Sequence, residues 1–300
     1  MQAIVKAGHG RPVLRDIPEP SKDVMDIHAT SLNKADWHAM AGQPWIMRLF
    51  KIPVIGADVA GIPRDGRWAG QRVCAEAGST SYAGHCEVGS VPDTHMAPIP
   101  DGMRFEDAAC LPVAGLTALQ GLRDWGQLQE GKRVLVNGAS GGVGSFAVQV
   151  ARALGADVTA VCSAKNVPFV RGLGVDEIWA YDERGLDGQF DVFFDAAAYR
   201  PFKDVMQHVA PDGRYLFIGG SMKLMLPSMT TAKLRYGKRL VNGIAKANGD
   251  DLAQLVSWAA DGTIHVPRTA TLTLPEVSDA LVRMGEGRTV GKVAVRIRGP

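Results

Sequence analysis

The sequence predicts an α/β protein: a doubly wound parallel sheet set behind a β-rich first third. Three observations predict it. Between residues 133 and 220 the apolar runs "RVLVNG", "DVTAVCS", "DEIWAY", "FDVFFDAA" and "GRYLFIGG" are interleaved with segments of helical periodicity. Those runs are apolar on successive residues, the pattern of strands buried on both faces. The first third instead carries "QAIVKA", "MDIHATSL", "IPVIGADVAG" and "GQRVCAEAG", short runs punctuated by Gly, Pro and Asp turn signals.

Each element follows in order. Residues 92–113 mix Pro with acidic residues and read as a connection. The texture changes at Ala114, where "LPVAGLTALQGLRDWG" spaces apolar residues helically and ends on Gly126. "GGVGSFAVQVARALG" is a helix with a buried face of Val143, Phe146, Ala147, Val150, Ala151 and Leu154, and Gly155 stands where a C-cap belongs. "KNVPFVRGLG" and "RPFKDVMQHV" supply further helices. In the tail, "GDDLAQLVSWAADG" is amphipathic. "TLPEVSDALVRMGEG" opens with Thr273 and Glu276 at capping-box spacing and Pro275 in the first turn, and "GKVAVRI" is a last strand. Residues 221–241 hold three Met, five Lys or Arg and no acid; they read either as a surface loop at an irregular core edge or as a substrate wall or subunit contact.

Composition narrows the function. The chain has 300 residues, 46% of them apolar and 21% charged, which suits one large or two ordinary domains of a soluble enzyme. A formal net charge of +2 provides no basic field for nucleic acid. No run reaches the roughly 18 apolar residues of a membrane helix, and "MQAIVKAGHGRPVLRD" lacks the layout of a signal peptide. Cys74, Cys86, Cys110 and Cys162 are far apart, which argues against a disulfide framework or a zinc lobe and predicts a cytoplasmic protein.

"VNGASGGVGSFAVQV" (136–150) joins a strand, a glycine turn and a helix start. Free backbone N–H groups and the positive end of the helix suit a pyrophosphate there, with Ala139, Ser140, Gly141, Gly142 and Val143 forming the turn. Gly141, Gly142 and Gly144 allow close approach of phosphate and strand. The end of the next strand selects the dinucleotide. Asp157 precedes that strand and so lies at the wrong end for a ribose. Ser163, Ala164 and Lys165 follow it, and a hydroxyl and an ammonium without an acid favour a 2′-phosphate, hence NADPH. Lys165 also reads as a solvated residue at a helix start.

Taken together, "SLNKADW" (31–37), "PVIGADVAG" (53–61), "LPVAGLTAL" (111–119), "GASGGVG" (138–144), "CSAKN" (162–166) and "GKVAV" (291–295) resemble the medium-chain dehydrogenase/reductase superfamily, in its zinc-independent quinone oxidoreductase and enoyl reductase branch. The resemblance runs over most of the chain. It implies a GroES-like catalytic domain from residues 1–113 and 247–300, a Rossmann domain inserted at 114–246, an active site in the cleft and a homodimer formed through edge strands of the Rossmann sheet. Zinc-dependent relatives carry Cys and His–Glu where Asn33, Ala57 and Asp58 stand, so the resemblance implies no metal site.

By the same resemblance Asn33 faces nicotinamide and substrate and donates to a developing enolate, and Asp36 organises the local backbone; Asn33 is alternatively a turn or cap residue. Thr117 contacts the nicotinamide ribose or amide, or simply packs its helix. Tyr181 lies near the adenine ribose, Ala196, Phe217 and Ile218 line the dinucleotide, and Lys292 reaches toward it. Trp37 and Trp45 are apolar walls for the substrate or core aromatics. The expected activity is hydride transfer from NADPH to a quinone or activated alkene. The alternatives are a biosynthetic reductase of one bulky enone and a non-catalytic NADPH-binding protein. Two departures stand out. "AGQPWIMRLF" lacks the Tyr proton donor of enoyl thioester reductases, which leaves water as the proton source, and "IPRDGRWAGQRV" is shorter than the corresponding segment of typical relatives, which widens the cleft.

Overall fold

Strands and helices alternate along the chain in three stretches. The first holds β1 (Gln2–Ala7), β2 (Arg11–Asp16), β3 (Val24–Ser31), α1 (Lys34–Ala41), β4 (Asp58–Pro63), β5 (Val73–Glu76), β6 (Val88–Ser90), β7 (Met96–Pro98), α2 (Phe105–Ala108) and α3 (Pro112–Gln120). The second holds β8 (Arg133–Asn137), α4 (Gly142–Ala153), β9 (Asp157–Cys162), α5 (Val167–Arg171), β10 (Glu177–Ala180), β11 (Phe190–Asp195), α6 (Phe202–Met206), β12 (Val209–Phe217), α7 (Thr231–Tyr236) and β13 (Leu240–Asn242). The last holds α8 (Gly249–Ala260), β14 (Arg268–Thr273), α9 (Val277–Gly285) and β15 (Lys292–Arg296). The structure, a computed structural model, describes residues 1–7, 11–41, 54–78, 84–218, 230–287 and 289–299. Trp45 and residues 221–229 lie outside the described residues.

The chain divides into two units. One is formed by Met1–Leu116, Lys246–Gly262 and Val266–Pro300, the other by Thr117–Ala245 and Thr263–His265. The second unit is a parallel sheet in the order β10-β9-β8-β11-β12-β13. Its strands are apolar throughout because helices cover both faces, and Val134, Leu135, Val136, Phe193 and Phe194 are fully buried. The winding direction reverses between β8 and β11, the position where such sheets open a crevice at their carboxyl ends. The buried face of α4 packs Phe146, Ala147, Val150 and Ala151 on the sheet, and Gly155 takes φ +77° just past the helix end.

A polar cluster closes the carboxyl edge. Asp195 Oδ1 accepts from Asn137 Nδ2 at 2.8 Å, from Ala198 N at 2.7 Å and from Ala197 N at 3.2 Å, while Oδ2 accepts from the Tyr215 hydroxyl at 2.8 Å. Burial pushes the Asp195 carboxyl above its ordinary range, and these donors pull it back. They also hold the turn after β11, where Ala198 sits at φ +47°.

The first unit is built on a seven-stranded sheet, β14-β15-β3-β4-β5-β7 with β6 on β3, and a β1–β2 hairpin. One apolar cluster gathers Met25, Ile27, Val59, Val73, Ala75 and Met96. Another gathers Ile4, Leu32, Ile55, Val277, Leu281 and Val295, joining chain head to chain tail. Residues 92–113 are not a plain connection: β7 pairs with β5, and α2 and the start of α3 follow. A three-residue strand and a four-residue helix are too short to show a period in sequence. The capping box at Thr273 and Glu276 is formed, and it holds a 3₁₀ turn over Leu274–Glu276 that leads into α9.

Tyr215→Phe leaves Asp195 Oδ2 buried without its hydroxyl donor. The expected loss is about 1–3 kcal/mol of unfolding free energy, read from urea denaturation followed by far-ultraviolet circular dichroism.

Candidate functional site

In the second unit the glycine turn is pinned from below. Gly138 N and Ala139 N both donate to Val161 O at 3.0 Å, which ties the turn to the end of β9. A Cβ on Gly144 would fall 2.1 Å from Gly138 O, so only glycine lets α4 sit this close to the turn. No side chain caps the helix: Gly141 is its N-cap, and Ser140 to Val143 are half-buried. The first-turn N–H groups of a twelve-residue helix are thus directed at the turn's open side, a cradle that fits a pyrophosphate.

The other residues expected around a dinucleotide lie at the same edge of the sheet. Ala196 N donates to Asn137 O and Ile218 N to Asp195 O, so Ala196 meets the end of β8 while Phe217 and Ile218 meet the end of β11. Ser163 follows β9 and is buried; Lys165, in the following turn, is exposed, and so is Tyr181, whose N–H donates to Cys162 O. Thr117 is half-buried on α3. One residue went unforeseen. Asp182 Oδ1 accepts from Ala164 N at 2.8 Å, which puts a carboxylate on the turn that the chain order alone leaves free of acid. It arrives from the next strand, outside any local window.

In the first unit Asn33 stands at the start of α1, 8% exposed. Its backbone N–H donates to Asp36 Oδ2 at 2.7 Å, one half of a capping box, so Asp36 organises the turn. Its side chain enters a buried network. Asn33 Nδ2 donates to Asp58 Oδ2 at 2.7 Å, and Asn33 Oδ1 accepts from Lys292 Nζ at 2.7 Å. Lys292 Nζ also donates to Asp58 Oδ2 at 2.9 Å and to Leu32 O at 3.2 Å. Asp58 further accepts from Ser31 Oγ at 2.5 Å and, through Oδ1, from Val113 N at 2.7 Å. Lys292 is 1% exposed and its three donors meet three acceptors. Lys292, expected to reach toward a dinucleotide, stands inside this network.

Beside it, the Thr30 hydroxyl donates to Asp58 O at 2.5 Å and so accepts from His85 Nδ1, 3.2 Å away. His85 Nε2 lies 3.6 Å from Asp36 Oδ2. Trp37 has its indole against Gly285, where a Cβ would fall 2.2 Å from Nε1, and packs on the Leu32–Leu281 cluster. A cavity of about 500 Å³ in this unit, lined by Leu32, Leu272, Met284, Val290 and Val293 among others, includes none of the residues expected to hold substrate. All four cysteines are buried thiols outside any disulfide, and burial pushes the Cys110 thiol up to about 12. Among the described residues no group of three His, Cys, Asp or Glu is placed to hold a metal ion, and no helix is long and apolar enough to cross a membrane.

The sheet order and the glycine turn define a protein of Rossmann type. Residues 173–295 match the zinc-binding dehydrogenase family. A chloroplast envelope quinone oxidoreductase homolog of Arabidopsis thaliana is 30% identical, over 93% of this chain and 90% of its own. The quinone oxidoreductase of Coxiella burnetii superposes with a TM-score of 0.90 at 23% identity, over 99% of both chains. The yhdH oxidoreductase of Salmonella enterica, solved in complex with NADP, gives 0.78 at 24% identity over 99% of this chain and 100% of its own. The chain belongs to the medium-chain dehydrogenase/reductase superfamily, in its quinone oxidoreductase branch.

Glu76 adds a titratable neighbour. It is the direct cross-strand partner of Asp58, and its buried Oε2 has no hydrogen bond among the described residues. Burial first, and the Asp58 charge second, push its carboxyl up to about 7 from 4.5. Between those values the folded protein holds a proton that the unfolded chain has lost, so stability falls as pH rises through this window. Glu76→Gln removes the dependence. Urea denaturation from pH 4 to 8 is expected to show a flatter profile in the variant, by up to about 3 kcal/mol at 1.36 kcal/mol per pK unit.

Proposed function

We propose that the protein is an NADPH-dependent reductase that delivers hydride to a quinone or an α,β-unsaturated carbonyl without a metal ion. The observation that carries this is Asn33. Its amide is buried among polar groups, with one N–H given to Asp58 and the second not taken by any acceptor among the described residues. Such a donor suits an oxygen that gains negative charge during reduction. Its oxygen, the one atom that ligates metals, accepts from an ammonium instead. The family match to zinc-binding dehydrogenases covers residues 173–295 and so does not reach positions 33 and 57, where the donors of a zinc site would stand.

NADPH bound at the α4 turn supplies the hydride. The backbone N–H groups of that turn hold the pyrophosphate, and Lys165 and Tyr181 address the 2′-phosphate while Asp182 opposes it. Asn33 donates to the carbonyl oxygen of the acceptor, and water supplies the proton that completes a two-electron reduction. The Salmonella neighbour's complex with NADP and the quinone oxidoreductase name of the Arabidopsis relative support the reading. A homodimer formed through edge strands of the parallel sheet and a cytoplasmic location are part of the same proposal.

Fluorescence titration and a panel of quinones and enones, followed by NADPH oxidation, test it. Lys165→Ala is expected to weaken NADPH about tenfold with NADH unchanged, the scale of one exposed charge-assisted contact. Asn33→Ala is expected to lower kcat about 100-fold, as for removal of one oxyanion donor. Equal affinity for NADH and NADPH, untouched by Lys165→Ala, overturns the cofactor assignment. Tight NADPH binding with no oxidation across the panel overturns the catalytic one, and turnover of a single enone narrows the substrate.

A further inference from the structure

We infer that Lys292 is a positioning residue for Asn33: its ammonium fixes which way the Asn33 amide faces and polarises the one N–H left for a substrate oxygen. The inference rests on the reading of Asn33 as that donor.

The orientation of the amide follows from chemistry at both ends. An ammonium has no acceptor, so the atom 2.7 Å from Lys292 Nζ is the carbonyl oxygen. An ionised carboxylate has no donor, so the atom 2.7 Å from Asp58 Oδ2 is the amide nitrogen. A flipped amide would set donor against donor and acceptor against acceptor, both buried. Lys292 cannot drift away, because its other two protons are held by Asp58 and Leu32 O. Asp58 in turn is fixed by Ser31 and Val113. A carbonyl that accepts from a cation draws electron density from its own nitrogen, which strengthens the remaining N–H as a donor. Lys292 itself keeps no free proton for a phosphate, so its effect on the reaction passes through Asn33.

The test uses the full-length protein in two variants. Lys292→Met removes the ammonium but strands the Asp58 carboxylate. Lys292→Met combined with Asp58→Asn keeps the site neutral, and it decides the matter if the single variant does not fold. Nuclear magnetic resonance of protein with isotope-labelled asparagine reads the Asn33 side-chain amide without cofactor, assigned by its loss in Asn33→Ala. The expected result is a shift of both Asn33 amide protons and a kcat lowered about 10- to 100-fold, the usual cost of losing an outer hydrogen-bond partner, with NADPH affinity within about twofold of wild type. Unmoved Asn33 resonances overturn the inference. So does an unchanged kcat, or a loss of NADPH affinity as large as the loss of kcat, which would mark a direct cofactor contact. If wild-type protein reduces no quinone or enone, the catalytic reading of Asn33 falls, and the resonance shift alone still decides whether Lys292 orients it.

Discussion

The first unit is organised around a buried ion pair, Lys292 with Asp58, at 2.9 Å and almost fully out of water. Burying two charges costs several kcal/mol each, and their attraction repays it only when every remaining donor and acceptor is satisfied. Here that condition is met by Ser31, Asn33, Val113 and the Leu32 carbonyl. The pair joins residues 234 positions apart, from β4 near the chain's start and β15 near its end. The tail's return to the first unit and the orientation of Asn33 thus have one physical cause. Any change that disturbs β15 is felt at the amide, because Lys292 opens that strand and Leu32 N donates to Val293 O.

The second unit meets its constraint differently. A parallel sheet buries both faces, so its specific polar groups collect at the strand ends. Asp195 occupies such an end, and its four donors come from β8, β12 and its own turn. The carboxylate holds Ala196 to Ala198 where the winding reverses. The glycine turn is held by backbone alone, through Val161 O. A side-chain anchor orders one lip of that edge and a main-chain anchor the other, which leaves the helix N–H groups free of internal partners.

How much of this was legible in the sequence depends on range. The parallel sheet and the glycine turn were readable because each signal is local: an apolar run, then Gly138, then the spacing of Phe146, Ala147 and Val150. The capping box at Thr273 spans three residues and was equally plain. Residues 92–113 misled because β7 and α2 are each too short for a pattern to complete two periods. The hydrogen bonds of Lys292 to Asn33 and Asp58 were not legible, because those partners lie more than two hundred residues away. Trp37 carried no local mark to separate a wall from a core aromatic; the nearby Gly285 of α9 settles its packing. Within the motif "GADVAG", Asp58 was visible as a residue but not as the centre of a network, since a strand pattern tells which face a side chain takes and not what meets it there.

The strand end at Ser163 shows the same limit acting on selectivity. Read along the chain, the turn holds a hydroxyl and an ammonium. In the fold it also holds Asp182, because β10 lies beside β9 and its end delivers the next acid to the same corner. That carboxylate accepts from the Ala164 N–H. On the proposed reading, Lys165 and Asp182 therefore act on a 2′-phosphate with opposite sign. Discrimination between dinucleotides at such a corner is a difference of two affinities. The proposed preference for NADPH depends on Lys165 and Tyr181 together outweighing an acid already committed to holding the turn in shape.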